Sequence, residues 1–166
     1  MLRRLLPLLA VSLLGCVTAP STGIASQLLG TWRLQDRIDR TADGREIVEP
    51  SLGRDPVALL IYDRGGNVSA QLMRRDRSQP LPQAPVAADP NNSAAQGGYD
   101  AYFGRYVVNG STVTHVLEAA LNPSDVGRRL TRNFRLQGDT LVIYFTARAP
   151  DGTPVTRTLT WRGAAR

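Results

Sequence analysis

From Leu28 onward the chain is built of short apolar runs separated by clusters of Gly, Asn, Asp and Pro. Along the runs, apolar and polar positions alternate with a period of two, the pattern of a strand with one buried face. Leu130, Arg132, Phe134 and Leu136 share one such face, and Val113, His115, Leu117, Ala119 and Leu121 share another. This pattern predicts strands near 30–38, 57–63, 67–74, 100–109, 112–121, 129–137, 140–147 and 154–162. Asp63-Arg64-Gly65-Gly66-Asn67, Asn109-Gly110-Ser111, Gln137-Gly138-Asp139 and Pro150-Asp151-Gly152-Thr153 are short loops of hairpin type. Eight strands joined mainly by hairpins predict an all-β, up-and-down antiparallel meander, and closing it into a barrel removes the exposed edges.

Two segments interrupt the meander. Residues 76–98 carry Pro80, Pro82, Pro85 and Pro90 among Ala, Gln, Asn and Gly, so they predict one long loop. Within it, Asp89 followed by Pro90 is suited to cap a short helical turn through Ala95. Asn122-Pro123-Ser124-Asp125-Val126 predicts a compact turn between strands.

Ahead of the meander the pattern is different. Met1-Leu2-Arg3-Arg4 is followed by an apolar run from Leu5 to Leu14, then Gly15 and Cys16. Two arginines and about ten apolar residues make a secretory signal, too short to span a bilayer, which takes about 20. Leu13-Leu14-Gly15-Cys16 resembles the lipobox of bacterial lipoproteins. That resemblance implies removal of residues 1–15 and lipid attachment to Cys16, the single cysteine. Val17 after it, rather than Asp, resembles the pattern of lipoproteins sent to the outer membrane, facing the periplasm. Residues 16–27 are small and polar and predict a flexible tether, leaving 28–166 as one domain. Removal of the leader lowers the formal charge from +6 to +4. The positive charges are spread along the chain without the patch or stripe that nucleic-acid binding needs.

His115, the one histidine, stands on an apolar face, available to hydrogen-bond a ligand, to act as a base, or to be satisfied within a core. Arg132 alternates with Leu130, Phe134 and Leu136, so it predicts a buried guanidinium that needs an anion or several acceptors. Glu118 is a candidate partner, although strict alternation sets it opposite His115. Tyr102 and Tyr106 share a face with Gly104, whose missing side chain leaves room beside two amphipathic rings. Ser69, Gln71 and Met73 share a face that, turned inward, gives a polar lining. No Gly-x-Ser-x-Gly elbow, phosphate loop or dinucleotide fingerprint occurs. With one His and a lipid-committed Cys, neither a metal site nor a cofactor is expected.

The Gly30-Thr31-Trp32 segment resembles the lipocalin signature. Asp55 to Tyr62, Gly66 to Arg74, Tyr102-Phe103-Gly104-Arg105-Tyr106, Val113 to Glu118, and Arg132, Phe134 and Gly138 to Leu141 follow in order. This series resembles the bacterial lipocalin-like domain family over roughly 28–162. The resemblance implies a calycin-type barrel with one closed end and an apolar interior, wide enough for a small hydrophobic or amphipathic ligand. It makes Gly30 and Trp32 structural residues at the closed end, with Arg162 as the arginine that covers Trp32. His115, Arg132, Tyr102, Tyr106, Glu118 and Gln71 become candidate ligand contacts. Isomerases and cyclases on calycin-like barrels supply an alternative by fold analogy, as does a purely structural lipoprotein of the cell envelope.

Overall fold

The computed structural model describes residues 23–78, 80 and 91–165. Cys16 and its leader, and Pro82, Pro85, Asp89 and Pro90 of the long loop, lie outside these residues. The described residues form α1 (Ile24–Leu28), β1 (Gly30–Arg40), β2 (Glu46–Ile47), β3 (Val57–Tyr62), β4 (Asn67–Met73), β5 (Tyr99–Asn109), β6 (Thr112–Ala120), β7 (Arg129–Gln137), β8 (Thr140–Arg148) and β9 (Pro154–Ala165). A 3-10 turn, Pro123–Asp125, sits between β6 and β7 where the sequence predicts a compact turn; the Asn122 side chain caps it by accepting from the Ser124 backbone N–H at 3.1 Å.

Each strand from β3 to β9 pairs antiparallel with its sequence neighbour, and β1 pairs with both β3 and β9. This double pairing closes eight strands into a barrel. The two-residue β2 adds to the outer half of β1, against Asp39 and Arg40. All eight predicted strands are present, with ends within three residues of the expected ones. Alternation puts Ala58, Leu60 and Tyr62 of β3 and Leu130, Arg132 and Phe134 of β7 into the interior.

Two irregularities reset that alternation. In β1 the register against β9 shifts between Leu34 and Asp36. The extra residue of a bulge turns later side chains to the other face. Trp32 therefore points inward before the bulge, and Arg37 and Asp39 point inward after it. Between β5 and β6 the register shifts at Phe103/Gly104. Strict alternation along β6 ends at Leu117, Glu118 is exposed, and Ala120 rather than Ala119 pairs with Tyr102.

One end of the barrel is sealed by α1. Leu28 is fully buried, and the Trp32 indole N–H donates to its carbonyl at 2.8 Å. Residues 24–27 fall in the stretch expected as tether; here they belong to a helical turn of which only the last residue, Leu28, is buried. The other end is covered by residues 48–53 and 91–98. Residues 91–95 form a turn and extended chain rather than a helix. Their fastenings are polar: Ser93 Oγ donates to Asp100 at 2.6 Å, and the Ala94 backbone N–H donates to the buried Asp125 carboxylate at 2.9 Å.

Candidate functional site

The interior is largely filled by side chains, and a cavity of about 50 Å³ remains toward the covered end. Leu52, Leu60, Ile143, Phe145 and Leu159 form much of its wall. Polar groups converge on it from different strands: Arg37 from β1, Tyr102 from β5, His115 from β6, Arg132 from β7, and Arg157 and Trp161 from β9, with Glu49, Ser93 and Asp100 at the loop end. A cavity this size holds a few waters or a group of a few heavy atoms. An apolar wall with a few convergent polar groups is the usual make-up of a small-molecule site.

His115 is 1% exposed and held between two phenols. Tyr62 Oη lies 2.7 Å from Nε2 and Tyr102 Oη lies 2.9 Å from Nδ1. Both ring nitrogens are thus engaged, which leaves neither to a ligand or a reacting atom. Burial, reinforced by Arg132, holds the imidazole well below its ordinary titration range, so it is neutral. Burial likewise raises both phenols, Tyr62 strongly and Tyr102 to about 12, so both keep their protons.

Neutrality of His115 has a measurable consequence. Its folded-state pKa lies below the unfolded 6.5. As pH falls below that value the unfolded chain takes up a proton that the folded chain refuses, and stability falls. This one group contributes a slope of up to about 1.4 kcal/mol per pH unit. The stability advantage of wild type over His115→Gln, read from urea unfolding between pH 7.5 and 5, is expected to shrink as pH falls. A constant difference would contradict a neutral buried imidazole.

Arg132 is 5% exposed, and its guanidinium lies 4.3 Å from the centroid of the Phe145 ring. Its hydrogen bond to Asn91 Oδ1 is long, at 3.5 Å. Among the described residues no carboxylate oxygen lies within 4.0 Å of it. Burial lowers its pKa, with Tyr102 and Tyr62 acting the other way. The other two inward arginines are paired. Arg157 makes a two-pronged contact with Asp39 at 2.8 and 2.6 Å. Arg37 lies 3.8 Å from Asp39 and 3.6 Å from Glu49, its pKa pushed down to about 10 by burial and by Arg157. Glu49 also accepts from the backbone N–H groups of Ser51 and Leu52. Burial raises the pKa of Asp100, the lining carboxylate that accepts from Ser93.

The structure brings Tyr102, His115 and Arg132 together and separates the other candidates from them. Tyr106 packs edge-on against Tyr62 at 4.8 Å and donates to the Asp63 carbonyl at 3.2 Å, behind the cavity wall. Gln71 faces outward, accepting from Tyr99, because the apolar set of β4 is Val68, Ala70 and Leu72. Glu118 is exposed, on the face opposite His115 where alternation sets it. The room beside Gly104 belongs to the β6 backbone rather than to a ligand. Arg162 does not cover Trp32: adjacent to the inward Trp161, it points out and pairs with Asp139 at 2.6 Å. Leu28 and Gly163 flank Trp32 instead. Arg37, Asp39, Arg157 and Trp161 join the interior without having been expected there. For Arg157 and Trp161 the signal was present, since Val155, Arg157, Leu159 and Trp161 alternate.

A closed eight-stranded antiparallel barrel with one sealed end and a small internal cavity defines a protein of the lipocalin type. The match to a family model agrees: the lipocalin-like domain model covers residues 29–164, and the chain belongs to that family. No curated protein matches the chain. A barrel of this kind is suited to holding a small ligand.

Proposed function

We propose that this chain is a lipid-anchored envelope protein that binds a small, partly apolar ligand inside its barrel. The observation that carries the reading is the cavity: of the three arginines that line it, Arg37 and Arg157 are paired, whereas the buried Arg132 has no carboxylate within 4.0 Å among the described residues. Buried charges are ordinarily paired, and a ligand completes the set. The lipobox-like Leu13-Leu14-Gly15-Cys16 supports acylation at Cys16. Val17 supports an outer-membrane position, with the barrel held close to the lipid by a short tether.

The ligand is small, or else only its head enters the cavity while its tail passes between residues 48–53 and 91–98. Fluorescence tests this. Trp161 lines the cavity and Trp32 lies at the sealed end. Titration of Trp32→Phe protein with medium-chain amphiphiles is therefore expected to change Trp161 emission saturably, at concentrations below the micellar range. Solvent extraction of protein purified from its native membrane is expected to release a bound small molecule. Failure of both would remove the binding reading.

A further inference from the structure

The Tyr62–His115–Tyr102 chain holds information about proton direction that its two distances do not state alone. A neutral imidazole has one N–H and one lone pair, so one phenol donates to the ring and the other accepts from it. Tyr62 is 1% exposed, does not line the cavity, and has no other hydrogen-bond partner among the described residues. If it accepted from Nε2–H, its own proton would be left without an acceptor in an apolar surround, which costs about 1–3 kcal/mol. The satisfied arrangement has the Tyr62 O–H donating to Nε2 and Nδ1–H donating to Tyr102 Oη. The Tyr102 proton is then free, and Tyr102 lines the cavity.

Two more donors belong to residues that line the same cavity. Arg132 has N–H groups not used by Asn91, and the Trp161 indole N–H is buried with no partner among the described residues. We infer that the Tyr62–His115–Tyr102 relay aims the Tyr102 hydroxyl proton into the cavity, making with Arg132 and Trp161 a donor-only pocket for a carboxylate. This inference rests on the ligand-binding reading above and narrows it to an acidic ligand. The lining carboxylates are hydrogen-bonded to other groups, and Asp100 acts on Arg132 and Tyr102 through its field rather than by contact. Glu49 is engaged by Arg37 and two backbone N–H groups, and Asp100 by Ser93. A cavity of about 50 Å³ admits a carboxylate and little more. The carboxylate belongs either to a small free acid or to the head of a longer amphiphile.

The test is calorimetric titration of the full chain, carrying Cys16→Ser so that no acyl group is added, with sodium hexanoate, 1-hexanol and hexylamine. The tails are equal and only the head differs. Hexanoate is expected to bind roughly 10- to 100-fold more tightly than hexanol, as loss of hydrogen bonds to a charged group implies, and hexylamine least. Arg132→Met removes a buried charge with no carboxylate partner among the described residues, so it is expected to fold and to abolish the preference. Tyr62→Phe touches no ligand. It is expected to lower hexanoate affinity several-fold and leave hexanol unchanged, an effect that simple packing by Tyr62 would not produce. Equal binding of hexanoate and hexanol, or unchanged selectivity in Tyr62→Phe, overturns the donor-only pocket and leaves the binding reading standing. Binding of none of the three overturns both. A series from acetate to decanoate separates the sources, since affinity that levels off after a few carbons assigns a small acid and affinity that keeps rising assigns an amphiphile.

Discussion

Replacing Asp39 with alanine is expected to cost about 3–5 kcal/mol of folding stability, the penalty for breaking a buried ion pair from one side. Asp39 and Arg157 are directly opposite each other on β1 and β9, the strands whose pairing closes the barrel. Their side chains are 2% and 4% exposed, and both guanidinium contacts are shorter than 3 Å. Without Asp39, Arg157 has no counter-charge within 4.0 Å among the described residues, and Arg37 keeps only Glu49 at 3.6 Å. Arg37 and Arg157 already oppose each other electrostatically, so the loss falls on two cations at once. The double variant Asp39→Leu with Arg157→Met is expected to recover most of the loss, because apolar isosteres of a buried pair are often neutral or stabilising. Urea unfolding of the three proteins checks this. A loss below about 1 kcal/mol in Asp39→Ala would mean that the pair is solvated and not a buried seam.

That pair also marks where reading the sequence stops. Alternation located the strands because the period-two signal depends only on local order, and hairpin chemistry at Gly65-Gly66, Asn109-Gly110 and Gly138-Asp139 delimited them. Membership of the interior followed for His115, Arg132 and Tyr102, which lie on regular stretches. It failed where one residue is inserted. Counting by twos from Trp32 puts Arg37 and Asp39 outside, and the bulge near Gln35 reverses them. Bulges leave no mark in a single sequence unless a glycine sits on them. Glu49 and Ser93 reach the cavity, at whose loop end Asp100 of β5 also stands, on loops whose paths are set by tertiary contacts, not by local preference. Arg162 was misplaced for a different reason: the covering role came from resemblance, whereas its neighbour Trp161 already occupies the inward direction. The Tyr62–His115–Tyr102 chain joins residues 53 and 13 positions apart, a pairing that only the closed sheet creates.

The bulge between β5 and β6 has a glycine facing it. Gly104→Ala is expected to destabilise the protein by about 3 kcal/mol, the upper part of the range for overpacking, lowering Tm by roughly 6–12 °C for a domain of this size. The position does not require a left-handed backbone; the demand is for space. A Cβ at Gly104 would stand 2.0 Å from the Val116 carbonyl oxygen and 2.8 Å from the Glu118 backbone nitrogen. Both obstacles are main chain, so no side-chain rotation relieves the clash, and β5 and β6 must separate there. Separation acts directly on the cavity, because Tyr102 is two residues from Gly104 on β5 and its partner His115 precedes Val116 on β6. The 2.9 Å contact between them is the link most exposed to a shift of one strand against the other. Gly104→Ala is therefore expected to lose affinity for hexanoate even at temperatures where it remains folded, with hexanol affected less. Differential scanning calorimetry and the same titrations measure the two effects. A Tm within about 2 °C of wild type would mean that the strands accommodate the methyl group, and the close backbone approach would then not be what this glycine provides.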